Sequence, residues 1–130
     1  LTSEFRPGSA SAGVDVGGND LPFAPRANWH AGIEYSRPLS GAIGVSARLE
    51  AVGTGGYYYD AANGASQGGY TLANARIGFS SGAWRAEMWV HNLFNRDYVP
   101  IALPYPLAAS GYIGESGAPR TFGISAGRAF

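Results

Sequence analysis

Six ionisable residues carry most of the chemistry this chain could perform: Glu34, Arg48, Glu50, Arg76, Arg85 and Glu87. Glu34, Glu50 and Glu87 could in principle supply a carboxylate pair for acid–base work. Three arginines interleave with them, and a guanidinium beside a carboxylate favours the ionised form. Structural neutralisation therefore fits the pattern better than catalysis. His30 and His91 are the two histidines. Neither has further ligands at metal-binding spacing, so each is assigned a hydrogen-bonding place on a polar face. Cysteine is absent, which excludes disulfides and thiolate metal sites. Gly123-Ile124-Ser125-Ala126-Gly127 fits G-x-S-x-G, but a nucleophile elbow needs a following helix and later Asp and His residues. Three residues follow Gly127, none of them Asp or His, and the match is taken as inert. Neither glycine pattern that cradles phosphate occurs. No enzyme and no cofactor are expected.

The elements that would position these residues are strands. No 12-residue stretch holds an apolar repeat of helical period, whereas period two recurs throughout. In Asn28–Ser36, Trp29, Ala31, Ile33 and Tyr35 alternate with His30, Gly32, Glu34 and Ser36, and a turn follows over Arg37–Gly41. In Ile43–Ala51, five apolar residues alternate with Gly44, Ser46, Arg48 and Glu50. A strand over about Tyr70–Ser80 has its clean phase in Ala73, Ala75, Ile77 and Phe79. Tyr70 and Leu72 fall out of that phase, which suggests a bulge or an end effect. After a Ser81-Gly82 turn, Trp84, Ala86, Met88 and Val90 alternate with Arg85, Glu87, Trp89 and His91. Asn92–Asp97 is read as a turn, Tyr98–Leu107 as a proline-interrupted fifth strand, and Ser110–Ala118 as a loop before the last strand. Residues 1–26 are read as the tail of an earlier strand and a connection. Residues 27–130 then hold about six strands.

Every acidic residue of the four central strands, and every arginine within their alternation, takes the polar phase. Arg37 continues the apolar phase only at the exit into a turn. Opposed acids and bases suggest a ladder of cross-strand ion pairs on one face. The other face is apolar over ~10 residues per strand, enough to cross the hydrocarbon layer when tilted. Trp29, Tyr35, Phe79 and Trp84 sit near strand ends, where an aromatic girdle belongs. Charged residues make up 14% of the chain, and all nine basic residues are Arg. Soluble β-proteins commonly put Lys on exposed edges, so its absence also favours a lipid-facing surface. Zero net charge leaves no electrostatic footprint for nucleic acid. A soluble β-sandwich would show the same alternation, with the apolar faces turned inward.

Several segments together resemble the carboxy-terminal part of a TonB-dependent outer-membrane receptor. They are Leu21-Pro22-Phe23-Ala24-Pro25-Arg26, Tyr70-Thr71-Leu72, and Trp84 leading to Val90-His91-Asn92-Leu93-Phe94-Asn95-Arg96-Asp97-Tyr98. Gly117-Ala118-Pro119-Arg120-Thr121-Phe122-Gly123 and the final Phe130 complete the set. The resemblance implies an all-β, antiparallel, up-and-down transmembrane barrel segment, about six strands of a barrel of about 22 with a plugged lumen. It implies import of a ferric siderophore, cobalamin or sugar across the outer membrane of a Gram-negative bacterium. The implied partners are outer-membrane lipid, the barrel-assembly machinery and the rest of the receptor. Phe122, Ile124, Ala126 and Phe130 would form the assembly signal, and the six charged residues would line the lumen. Arg128 departs from the family's aromatic or apolar residue two places before the terminal Phe. On this mapping Asn92–Tyr98 is a periplasmic turn, Gly53–Gly69 includes a periplasmic connection, and Ser110–Ala118 lies in an extracellular loop. The alternatives are a small self-standing outer-membrane barrel with a structural or adhesive role and a soluble β-sandwich binding module.

Overall fold

The computed structural model describes residues 3–129, so Phe130 lies outside the described residues. Eleven strands occur in chain order: β1 (Ala10–Ser11), β2 (Val14–Asp15), β3 (Asn28–Ser40), β4 (Ile43–Thr54), β5 (Tyr57–Tyr58), β6 (Ser66–Gln67), β7 (Tyr70–Ser81), β8 (Trp84–His91), β9 (Ile101–Pro104), β10 (Tyr112–Glu115) and β11 (Thr121–Arg128). No helix is present among the described residues. The long strands coincide with the stretches of period-two alternation, as the pleat requires.

Five strands make the main sheet, in the order β11-β8-β7-β4-β3. Its register joins like with like. Ile77 and Ile124 both stand opposite Met88, while Gly78 and Ser125 both stand opposite Glu87. The sheet is open, with β11 and β3 at its edges. Two-residue turns, Gly41-Ala42 and Gly82-Ala83, join β3 to β4 and β7 to β8. Both glycines take a left-handed conformation, φ +53° and +56°, which suits tight hairpins and strains any other residue. The connections at the opposite strand ends are long: residues 55–69 between β4 and β7, and residues 92–120 between β8 and β11.

The chain divides into two compact units. One holds residues 30–52, 71–96 and 118–130, the bulk of the main sheet. The other gathers residues 1–29, 53–70 and 97–117. In this second unit, the hairpins β1–β2, β5–β6 and β9–β10 accompany a small core of Tyr57, Tyr59 and Ala102, and Val16 is also buried. Tyr57 and Tyr59 meet edge to face at 5.7 Å between ring centroids, and Phe23 closes on both at 6.2 and 6.1 Å.

Three details differ from the sequence expectation. The turn expected over Arg37–Gly41 is mostly strand, because β3 continues to Ser40. The segment Tyr98–Leu107 contributes only Ile101–Pro104, and these residues pair with Tyr112–Glu115 inside the supposed loop 110–118. Pro100, Pro104 and Pro106 lack the N–H that a central barrel strand needs, so the hairpin stays outside the main sheet. The phase break at Tyr70 has its origin in packing: its ring stacks on Tyr98, 4.6 Å between centroids and 23° between planes.

Gly53 near the end of β4 is required by Trp29 of β3. A Cβ there would sit 1.9 Å from the indole Nε1. Gly53→Ala is expected to destabilise the fold by ~1–3 kcal/mol through overpacking. Guanidinium unfolding followed by Trp fluorescence checks it, and an unchanged midpoint refutes the contact.

Candidate functional site

The polar face of the main sheet carries the charged residues. Arg48 in the middle of β4 reaches two acids. Its Nη1 donates to Glu34 Oε2 at 2.8 Å, and its Nη2 donates to Glu50 Oε1. His30 Nε2 lies 3.6 Å from the same Glu50 oxygen. Arg76 Nη1 stands 3.8 Å from Glu87 Oε2. Glu34, Arg48, Glu50, Arg76 and Glu87 line one shallow hollow with Ser46. Arg85 is apart from them. Its cross-strand neighbours are Ser80 and Gly127, and it has no ion pair among the described residues. The expected ladder is therefore a three-residue cluster, a looser pair and one separate arginine. All these side chains are partly exposed, so each pair contributes little to stability. Their arrangement suits a wet, charge-balanced wall.

Toward the β8 end of that face, Trp89 and His91 are in contact, 5.0 Å between ring centroids at 51°. The Trp89 ring covers Gly123 of β11, where a Cβ would fall 2.5 Å from it. Toward the tight turns the face is built from small residues, including Gly44, Ser46, Gly78, Ser80, Ser125 and Gly127, which leave a concavity beside Arg85.

The opposite face is apolar and exposed. Ile33 is 69% exposed, Phe122 79% and Ile124 77%. A sandwich would bury these side chains under a second sheet; here Trp84, Ile33 and Leu49 remain accessible, so none of the described residues provides such cover. Phe122, Ile124 and Ala126 share this face, opposite Val90, Met88 and Ala86 of β8. Of the four residues assigned to the assembly signal, Phe130 alone is outside the described residues.

Sequence reasoning missed the polar network of the second unit. Tyr59 donates to the Val99 carbonyl at 2.7 Å, and Tyr57 donates to that of Pro100 at 3.0 Å. Gln67 Oε1 accepts from Val99 N at 2.8 Å. Asn63 binds Asp20 twice, accepting from its N–H and donating to its carbonyl, each at 2.9 Å. The turn-forming Asn63-Gly64 was visible as local punctuation; its partner 43 residues away was not. Tyr112 donates to Asp60 Oδ2 at 2.8 Å. Burial pushes the Asp60 carboxyl up, but the Tyr112 hydroxyl and the N–H groups of Gly64, Ala65 and Ala62 outweigh it and hold the group below its ordinary value.

Burial, aided by Tyr70 and Tyr59, pushes the Tyr57 phenol up to about 12. The neutral form is the one the fold favours. Its contribution is complete below the ordinary tyrosine value of about 10 and is lost as pH rises through about 12. Tyrosinate absorbance should therefore show a late-titrating fraction that shrinks in Tyr57→Phe, with Tyr59 and Tyr112, also pushed up, keeping a share of it. Titration of every tyrosine near 10 would contradict the buried pair.

One solved structure with this arrangement of strands is the crystal structure of the ferric yersiniabactin uptake receptor FyuA from Yersinia pestis. It superposes with a TM-score of 0.76 at 24% identity, over 85% of this chain and 17% of that one. This chain thus spans less than a fifth of that receptor's length. Residues 2–93 match the family described as TonB dependent receptor-like, beta-barrel. Members of that family are outer-membrane receptors and transporters of Gram-negative bacteria, not enzymes. With most of its length inside the family's pattern and its strands in the family's arrangement, the chain belongs to the TonB-dependent receptor-like β-barrel family.

Proposed function

We propose that residues 27–130 form part of the wall of an outer-membrane receptor that imports a ferric siderophore or a similarly scarce nutrient. Residues 1–26 supply the connection that precedes it. The observation that carries this reading is the separation of faces. Glu34, Arg48, Glu50, Arg76, Arg85 and Glu87 share one face, and the exposed apolar side chains share the other. The first faces a wet lumen and the second faces lipid tails. The open edges β3 and β11 pair with the remaining strands of the receptor, because lipid does not tolerate an unpaired edge. Phe122, Ile124, Ala126 and Phe130 present the apolar phase that the assembly machinery reads.

Outer-membrane barrels have short periplasmic turns and longer extracellular loops. The turns at Gly41-Ala42 and Gly82-Ala83 then face the periplasm. The connections 55–69 and 92–120 face outward. This reading reverses the sequence expectation, which put Asn92–Tyr98 and part of Gly53–Gly69 on the periplasmic side. Asn92–Tyr98 and Ser110–Ala118 belong to one connection, because β9 and β10 do not cross with the sheet.

The test uses the intact receptor in an iron-limited host that lacks its own siderophore receptors. Uptake of radioactive iron from ferric hydroxamate, catecholate and phenolate siderophores is compared with and without an active TonB system. TonB-dependent uptake from one of them supports the reading. Growth and uptake identical to the empty host for all three, together with no gain on cobalamin or oligosaccharide, overturns it.

A further inference from the structure

Trp89 and His91 follow one another on the polar phase of β8, at the end that leads into the long connection 92–120. An indole belongs to the girdle on the lipid side of a barrel; on the polar phase it needs another reason. Gly123 gives it room. A Cβ there would fall 2.5 Å from the ring, so the indole lies against the glycine backbone and presents its other face away from the sheet. Trp89 is half-buried and His91 exposed, and their rings meet at 5.0 Å and 51°. Among the described residues no guanidinium and no aromatic ring but His91 contacts the indole. Neither the indole N–H nor either imidazole nitrogen takes part in a hydrogen bond there.

Charge around the pair is one-sided. The polar phase of β7, β8 and β11 carries Arg76 and Arg85 against Glu87, two cations to one acid. Arg76 stands opposite Trp89, and its Nη1 is 3.8 Å from Glu87, too long for a hydrogen bond. Its N–H groups are therefore available to an anionic oxygen. A flat apolar ring, an imidazole able to donate or accept, and a guanidinium beside them match one ligand chemistry: an aromatic ring that carries an anionic oxygen. A saturated chain forgoes the stacking, and a bare inorganic anion leaves the indole uncovered.

We infer that Trp89 and His91, with Arg76 beside them, bind an aryl-oxygen group of the imported molecule, a phenolate or catecholate, at the outward end of the lumen wall. The inference rests on the receptor reading and its lumen-facing polar face. It narrows the cargo from any scarce nutrient to one that presents an aromatic ring.

The test is uptake of radioactive iron through the intact receptor in the same iron-limited host, supplied as a ferric tricatecholate, a ferric phenolate or a ferric trihydroxamate. Uptake from a catecholate or phenolate carrier is expected. Its half-saturating concentration should rise about tenfold in Trp89→Leu and about threefold in His91→Leu, stay close to the parent in Trp89→Tyr and not move in Trp84→Leu. The maximal rate should hold throughout. Uptake confined to the trihydroxamate, cobalamin or an oligosaccharide overturns the inference and leaves the receptor reading standing. Uptake of none of them overturns the receptor reading itself. Aryl uptake that ignores both substitutions, or a maximal rate that falls equally for every carrier, overturns the aryl site. Where Trp89→Leu fails to assemble, tryptophan fluorescence of the purified receptor decides. A saturable quench by the ferric tricatecholate that shrinks in Trp89→Tyr but not in Trp84→Tyr supports the site, and an equal quench in both overturns it.

Discussion

Leu49→Arg is expected to lower the unfolding free energy of the assembled receptor by ~2–4 kcal/mol, the cost of an arginine on the lipid face near the bilayer midplane. Leu49 sits in the middle third of the 12-residue strand β4, and its side chain shares an apolar hollow with Ile33, Tyr35 and Ile77. None of the described residues covers that hollow, so under the proposed lipid-facing reading a cation there meets lipid tails. Val45 lies on the same phase but nearer the tight turn, and Val45→Arg should cost less. Ser46→Arg turns the other way, onto the polar face beside Glu34 and Glu87, and should cost least. Urea titration of the receptor refolded into lipid vesicles measures all three. Equal losses at Leu49 and Ser46 would contradict the assignment of faces.

The second large effect belongs to Asn92, which is 5% exposed and left-handed at φ +49°. Its side chain closes the connection that follows β8. Nδ2 donates to the carbonyls of Arg96 at 2.9 Å and Ala118 at 3.0 Å, and Oδ1 accepts from Arg96 N at 2.8 Å. Its own N–H donates to Asn74 Oδ1 at 3.1 Å. Asn92→Ala strips partners from three backbone groups and leaves a Cβ residue in the left-handed region. The expected cost is ~4 kcal/mol, about 1 kcal/mol per orphaned group and ~1 kcal/mol of strain. Asn92→Gly removes the strain but not the lost hydrogen bonds, so it should recover roughly a quarter of the loss. Chemical unfolding of both variants reads the difference. A glycine variant as stable as the parent would mean that the side chain's bonds contribute nothing.

The five long strands were legible because alternation is a local signal. Ile43 to Ala51 states its own face assignment without reference to a partner, and the register of β7, β8 and β11 then places Ile77, Met88 and Ile124 in one row. The charged face was legible for the same reason. Which charges meet was not, since Arg48 could not be assigned to Glu34 and Glu50 before its strand was set beside β3. The 98–118 stretch misled because its three prolines and exposed Ile101 and Leu103 look like an interrupted membrane strand, while the residue that anchors it is the small, buried Ala102. Asn92 stood inside one of the family-like segments, and its side chain ties backbone to backbone. The reversal of sidedness under the proposed reading has another source. Reading 98–107 as a membrane strand, when β9 and β10 stand outside the main sheet, and counting back from an outward 110–118 inverts every earlier connection.

The unit built from residues 1–29, 53–70 and 97–117 bears on how such receptors can be re-engineered. Its ties are long-range. Asn63 grips Asp20, Tyr59 and Gln67 hold Val99, and Tyr112 holds Asp60, across separations of 32 to 52 residues. No single connection carries its own fold. Grafting one of them onto a related scaffold would strand half of each contact, so a functional chimera must transplant all three as a set.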